Sequence, residues 1–365
     1  MLAIIDPNLR PIADKLIAGQ RLSAEDGLTL LCTRDLLGLG SLANVVRERL
    51  NGDHAYYIVN RHINHTNICR NRCRFCAFSR SEGEPGAYAL SIEEVLRKAE
   101  ETAEDGVSEF HIVGGLHPTL SFAYYLTMLR RLKERFPQVH LQAFTAVEVD
   151  HLARIAGLSI RECLEQLRDA GLGSLPGGGA EVFAPRVRRE LCPEKLSADG
   201  WLEIMRTAHQ LGLKSNATIL YGHVETDEEL VDHLLRLRKL QDETGGFQAF
   251  IPLLFHPRHT GLEGEVPETT TARRDLQVMA ASRLMLDNFP HVKVFWIMLG
   301  LKLAQVALSF GGDDLDGTVI EERITHSAGA ETPECLSEEE LLRLIREAGR
   351  LPVKRDTLYA TQVIS

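Results

Sequence analysis

No stretch of these 365 residues is apolar enough, for long enough, to cross a bilayer. The longest apolar run, Val294 to Leu301, is closed on both sides by Lys293 and Lys302, whereas a helical span needs about 20 apolar residues. The opening residues, Met1 to Asp6, offer five apolar side chains before the first charge, too few for the core of a signal peptide. Positive charge is also in deficit. Lys and Arg number 41 against 51 Asp and Glu, a formal charge of −10 that disfavours a protein tracking a nucleic-acid backbone. Low-complexity segments, short repeats and long linkers are all missing. A balance of 44% apolar and 25% charged residues excludes a disordered chain, a collagen-like fibre and a coiled coil. These absences lead us to expect a cytoplasmic protein with no membrane and no nucleic acid as partner. In that reducing compartment the seven cysteines are expected to be free, metal-bound or reactive rather than paired.

What the sequence does contain is an alternation of two periodicities. The start reads as helical, with Leu9, Ile12, Ala13 and Leu16 at helical spacing, then Ser23 as a cap before Leu28, Leu31 and Cys32, then Leu42, Val45, Val46 and Leu50. Strand-like runs follow at Tyr56–Asn60, Phe110–Val113, Leu141–Thr145, Ser215–Leu220, Phe250–Leu253 and Val292–Ile297, with a weaker one at Gly173–Leu175. Helical patterns lie between them at Ser91–Asp105, Ser121–Phe136, Ile160–Ala170, Ala198–Leu211, Glu228–Thr244 and Ala272–Asn288. Strand followed by helix, repeated along most of the chain, predicts a parallel α/β sheet. Polar or Gly-rich stretches follow most of the strand runs, which favours a (β/α)8 TIM-type barrel whose mouth gathers them, whether or not the barrel closes fully. Asp314–Val319 is the candidate closing strand. A last helix is expected up to Gly349, with Ser337 and Glu340 forming its capping box and a loosely held tail after Pro352. The expected division is an N-terminal helical extension over 1–54, the barrel over 55–320, and a C-terminal helical segment and tail over 321–365.

The sharpest local signal is the octapeptide Cys69–Arg70–Asn71–Arg72–Cys73–Arg74–Phe75–Cys76, just after the first strand. Three thiolates so spaced can wrap one iron–sulfur cluster, and a cubane held by three ligands keeps one iron open. On spacing alone a closed zinc site remains an alternative, with His62 or His65 as fourth ligand. Cys32, Cys163 and Cys192 fall in or near helical patterns and read as buried small hydrophobes, and Cys335 lies in a polar loop.

With an aromatic residue before its third cysteine, this loop resembles that of the radical S-adenosylmethionine (SAM) superfamily. The resemblance extends through Asn60–Asn67, Gly114–Pro118, Pro176–Glu181, Tyr221–Thr226 and Asp314–Thr318. These segments are similar to the subgroup that holds the menaquinone enzymes of the futalosine route and the deazaflavin (FO) synthases. Within it, Ser174–Phe183, Ser215–Thr218 and Phe250–Pro257 resemble the aminofutalosine synthase family, with the cyclic dehypoxanthinyl futalosine synthases as the nearest alternative. The resemblance implies a 4Fe–4S cluster on Cys69, Cys73 and Cys76, whose open iron would chelate SAM. It also implies an electron donor such as flavodoxin or ferredoxin, and a small aromatic carboxylate substrate to which the 5′-deoxyadenosyl group is added. Two more distant readings remain: a radical enzyme acting on transfer RNA, and a non-catalytic zinc-binding barrel.

By the same resemblance, the backbone of Gly114–Gly115 would bind the methionine amino group and Phe75 would contact adenine through its backbone; Glu148, just past the third strand run, is a candidate for the ribose hydroxyls or the methionine ammonium, and Glu181 a candidate to hold SAM. Glu148 could equally be an acid in a helix first turn, and Glu181 a cap. His117, His223 and His256 each follow a strand run and are candidates for acid–base or carboxylate-binding roles, although such histidines are often only structural. A substrate with two carboxylates calls for cations, and Arg80, Arg258 and Lys293 lie near the expected mouth. Trp201 and Trp296 read as packing residues.

Overall fold

In the computed structural model, residues 4–102 and 106–363 are described. Three helices come first: α1 (Leu9–Ile17), α2 (Ala24–Cys32) and α3 (Leu36–Asn51). Ser23 caps α2, as the sequence suggested, and does so in a reciprocal box with Asp26, but Cys32 at the helix end is exposed rather than buried. Cys163 and Cys192 are buried.

Strands β1 (His54–Ile58) and β2 (Asn60–Ile63) follow, separated by Val59. After them come β3 (Glu109–Ile112), β4 (His140–Ala143), β5 (Ser174–Leu175), β6 (Lys214–Tyr221), β7 (Phe247–Leu254) and β8 (His291–Val292). Strands β2 to β8 form one parallel sheet in sequence order. A further strand, β9 (Asp314–Gly317), comes from the segment singled out to close the barrel. Val294 N–H donates to the Asp314 carbonyl at 2.7 Å on one side of it. On the other, Tyr56 donates to Asp313 at 2.8 Å and Ile320 to Asn60 at 3.2 Å. The curled sheet thus has its two ends bridged by residues 313–320, and the architecture is the expected (β/α)8 type with a narrow closure.

Helices Ile92–Glu100, Phe122–Arg135, Ile160–Asp169, Ala198–Gln210, Asp227–Thr244 and Ala272–Met285 stand where the helical periodicity put them. The last three residues of the expected Ser91–Asp105 helix lie outside the described residues. Among the described residues no helix is long and apolar enough to cross a membrane.

Three features differ from the sequence reading. The strand expected over 292–297 ends after Val292, and Trp296–Leu299 turns into a short helix. The indole N–H of Trp296 is drawn to the Gly317 carbonyl at 2.9 Å, which aligns that turn with β9. Helices Ala146–Ala156 and Pro185–Leu191 were not anticipated. The tail is not loose: β10 (Leu351–Arg355) pairs in parallel with β1, and β11 (Thr361–Val363) pairs antiparallel with β10. The last helix, Glu338–Glu347, carries the Ser337–Glu340 capping box.

Candidate active site

The cysteine loop leaves β2 and is tied down by segments that follow β3, β5 and β7. Gly115 N–H donates to the Thr66 carbonyl at 2.8 Å and Arg70 N–H to that of Leu116 at 3.0 Å. Arg74 N–H reaches the Leu191 carbonyl at 2.8 Å, and Gly261 N–H reaches that of Arg74 at 2.7 Å. Thus held, Cys69, Cys73 and Cys76 are free, half-buried, and open onto one cavity of about 330 Å³ inside the barrel. Phe75, Gly114, Gly115, Glu148 and Glu181 line the same cavity.

The glycine pair has a steric reason of its own. A Cβ on Gly115 would stand 2.3 Å from the Ile68 carbonyl oxygen, and one on Gly114 2.6 Å from His65 Cε1. The strand exit passes too close to the cysteine loop for any side chain. Both N–H groups are occupied, Gly115 by Thr66 and Gly114 by Glu148 Oε1 at 2.9 Å. The Gly115 carbonyl already accepts from His117 N–H at 3.0 Å, so what the pair can offer a ligand is the Gly114 carbonyl oxygen, a match for an ammonium group.

Glu148 is buried, and its other oxygen, Oε2, accepts from Thr145 N at 2.7 Å and Thr145 Oγ1 at 2.8 Å, so it does close a helix capping box. Burial raises its pKa to about 7 against these opposing hydrogen bonds. Glu181 forms a close ion pair with Lys195, which the sequence did not single out. Burial works against the Lys195 ammonium, but Glu181 together with the Cys73 and Cys192 sulfurs outweighs it and the pKa is raised. The Lys195 ammonium also sits 5.0 Å from the centroid of the Phe75 ring.

At the far end, His62 on β2 and His111 on β3 stack with centroids 4.4 Å apart. Asp316 on β9 lines the cavity beside them and pairs with Lys293 Nζ at 3.0 Å. Burial alone would raise Asp316, but Lys293 and then Arg355 hold its carboxyl below the usual carboxylate range. Between the two ends the wall is apolar, with Val147, Leu220, Ile251, Phe255 and Phe295 among its residues.

Of the three histidines named from the sequence, only His256 lines the cavity, with Nε2 on the Met298 carbonyl at 3.1 Å. His117 faces its own turn, where Nδ1 accepts from Thr119 N at 3.2 Å and Leu120 N at 3.3 Å. His223 is occupied by Leu220 O at 2.9 Å and Glu225 Oε2 at 2.9 Å. The expected cations are also engaged: Arg80 with the Ala77 and Ser79 carbonyls, Arg258 with Glu331, and Lys293 with Asp316. Lys195, His111 and Asp316 were missed as individual site residues. Only Asp316 carried a signal, being inside the Asp314–Thr318 motif.

The donor set suits a cluster. Burial pushes the Cys69 thiol up and the Cys73 thiol to about 12, a bias toward the neutral thiol that metal coordination overrides by deprotonating it outright. In a cubane each thiolate binds a different iron, so the sulfurs stand farther apart than around a single ion. Among the described residues, no three His, Cys, Asp or Glu side chains gather closely enough for one metal ion. His65 packs instead against Tyr125 and Phe144. Three thiols opening onto one cavity are the donor set that a 4Fe–4S cluster with one open iron requires.

Comparison with known proteins agrees. A family model of the radical SAM superfamily matches residues 63–237, and one of the CofH/MqnC C-terminal region matches residues 244–365. The aminodeoxyfutalosine synthase of Thermus thermophilus is 53% identical over 98% of this chain and 97% of its own. The chain belongs to the radical SAM superfamily. It is a radical SAM enzyme whose cofactors are a 4Fe–4S cluster and SAM. The aminodeoxyfutalosine synthase of Streptomyces coelicolor is 47% identical over 96% of this chain and 93% of its own. A relative in Methanopyrus kandleri, named 5-amino-6-(D-ribitylamino)uracil–L-tyrosine 4-hydroxyphenyl transferase, is 43% identical over 87% of each chain. The radical SAM fold is shared with methylornithine synthase, at TM-score 0.74 and 20% identity over 93% of this chain and 97% of that one. The hydrogenase maturase HydG gives TM-score 0.75 and 18% identity over 96% of this chain and 77% of that one.

Proposed function

We propose that this radical SAM enzyme is an aminodeoxyfutalosine (aminofutalosine) synthase. It would join the 5′-deoxyadenosyl group of SAM to the enol-ether double bond of 3-((1-carboxyvinyl)oxy)benzoate, with loss of the enol carboxylate as carbon dioxide or bicarbonate. The observation that carries this reading is the 53% identity to a synthase of that name, against 43% to the tyrosine transferase. When bound, the cluster supplies the electron that releases the adenosyl group from SAM. Cys69, Cys73 and Cys76 are its ligands, and the Gly114 carbonyl and Glu148 face the cationic methionine end of SAM. Lys195 holds Glu181 in place and covers Phe75. The apolar middle of the cavity receives the aromatic ring and excludes water from the reacting atoms. His256, with Nε2–H on the Met298 carbonyl, presents a neutral Nδ1 as a proton acceptor at the wall. The electron comes from a small reductant protein such as flavodoxin or ferredoxin.

The test is anaerobic turnover with the benzoate enol ether, SAM and a chemical reductant, followed by mass spectrometry. An adduct with adenosine covalently attached is expected. Free 5′-deoxyadenosine with a spiro product from dehypoxanthinyl futalosine would assign the sister cyclase activity instead. Coupling of tyrosine to the diaminouracil would assign the transferase activity.

A further inference from the structure

The cavity is lined at its far end by two imidazoles and by Asp316, whose charge Lys293 balances, where a carboxylate-binding site would ordinarily show arginine. No arginine lines it among the described residues. Its one lysine, Lys195, is bound to Glu181 at the cluster end. Lys293 lies behind the lining and is bound to Asp316. An aromatic acid entering the apolar middle must still find a polar partner for the end that points away from the cysteines.

The far end is built for that. His62 and His111 are Cα partners across the β2–β3 ladder, and register continues to Gln142 on β4 and Ser174 on β5. Barrel interiors are usually filled by layers of branched apolar side chains. Here one layer is His, His, Gln, Ser across four adjacent strands. Gln142 Nε2 donates to Ser174 Oγ at 3.2 Å, and Ser174 Oγ also pairs with His140 Nε2 at 2.8 Å. His62 is buried and its ring lines the cavity, while its Nε2, enclosed by the protein, has no partner there. A buried polar group left unpaired is costly, so a position that retains one invites a ligand. The stack with His111 fixes the ring plane, and burial keeps His62 uncharged.

We propose that the His62 imidazole, oriented by its stack on His111, hydrogen-bonds the benzoate carboxylate of the substrate and so sets the direction in which the aromatic acid lies between the cluster and the barrel floor. This rests on the synthase reading above and adds the residue that selects the substrate end. A neutral imidazole donor spares the enzyme an unpaired cation in the empty cavity, at some cost in affinity compared with a guanidinium.

The experiment uses cluster-loaded enzyme with SAM, first without reductant to measure binding and then with it to measure turnover. His62→Phe keeps an aromatic ring for the stack and removes both nitrogens. His62→Gln keeps a donor. With His62→Phe, the dissociation constant and KM for the benzoate enol ether should rise about tenfold or more, the scale of one hydrogen bond to a charged group. Cluster absorbance and SAM affinity should stay at wild-type values, and His62→Gln should recover part of the loss. The methyl ester of the benzoate carboxylate should bind wild type and His62→Phe alike. Equal binding of the free acid by wild type and His62→Phe overturns the proposal, as does a parallel loss of SAM affinity. If His62→Phe does not fold, the free acid must still bind wild type more tightly than the ester and His62→Gln must narrow that gap; otherwise the proposal fails. Wild-type enzyme that makes no adduct from the acid refutes the synthase reading itself, whereas an active wild type with an indifferent His62→Phe refutes this inference alone.

Discussion

At the scale of single residues, Glu148 shows how one carboxylate can serve folding and the site together, with opposite demands on its proton. Its hydrogen bonds from Thr145 and Gly114 favour the charged form, and burial disfavours it more, so its pKa is about 7 in the folded protein against an ordinary value of 4.5. Between those values the native state holds a proton that the unfolded chain has released. Stability therefore falls as pH rises through the window from 4.5 to about 7, by up to roughly 3 kcal/mol, and is flat on either side as far as this group is concerned. Glu148→Gln should retain the cap, because glutamine suits the third helical position nearly as well, and should remove this decline. Melting temperatures measured across that pH range would check it: wild type should lose stability on going up, and the variant should lose less. The same substitution should weaken SAM binding at pH values above 7, where the wild-type carboxylate is charged and can face an ammonium.

At the scale of elements, the cysteine loop and the exit of β3 form one unit, because Gly115 has no room for a side chain. Gly115→Ala would drive a methyl into the Ile68 carbonyl, 2.3 Å from where the Cβ must go, and backbone cannot step aside as a flexible side chain can. We expect the variant to keep its far-UV circular dichroism but to load less iron and sulfide per chain, with stability lower by about 1–3 kcal/mol. Full cluster loading would show that the loop tolerates displacement. This coupling also marks what the sequence discloses and what it withholds. Helix starts were legible at Ser23 and Ser337, where a capping residue precedes an apolar period, since that signal is entirely local. At Thr145–Glu148 the same residues admit two readings, a first-turn acid and a SAM-facing carboxylate, and the structure gives Glu148 the capping role at the start of helix Ala146–Ala156. The expected strand over 292–297 was cut short by a tertiary contact, the Trp296 indole on Gly317, which no window of sequence contains. The cysteines were legible because their spacing is itself the site. Lys195, His111 and Asp316 were not, because each owes its place to a partner more than 10 residues away: Glu181, His62 and Lys293.

At the scale of the whole molecule, the barrel is closed by its own two ends. Asp314 on the closing strand accepts from Arg355 Nε at 2.5 Å and from the Tyr359 hydroxyl at 2.6 Å, and Tyr359 stacks on His291 at 3.7 Å between centroids. The side chains of Arg355 and Asp314 are at most 1% exposed. From the other terminus, Arg47 on α3, wholly buried, donates to the Gly52 carbonyl at 2.6 Å and the Gly312 carbonyl at 3.3 Å. Residues from the first and last segments of the chain thus grip the same short stretch, 312–314, on either side of the seam. Two residues further on is Asp316, which lines the cavity, so closure and active-site geometry share one strand. Arg355→Met breaks the buried pair and leaves Asp314 without its cation, which should cost about 3–5 kcal/mol, well beyond the value of a surface ion pair. Pairing it with Asp314→Leu removes the stranded charge and should return most of that loss, since a buried ion pair is expensive to break and cheap to replace by well-packed apolar groups. Chemical denaturation of the two single variants and the double variant measures the coupling directly. A double variant that regains stability but not turnover would show that the pair sets the position of β9, and with it Asp316, and does more than hold the chain ends together.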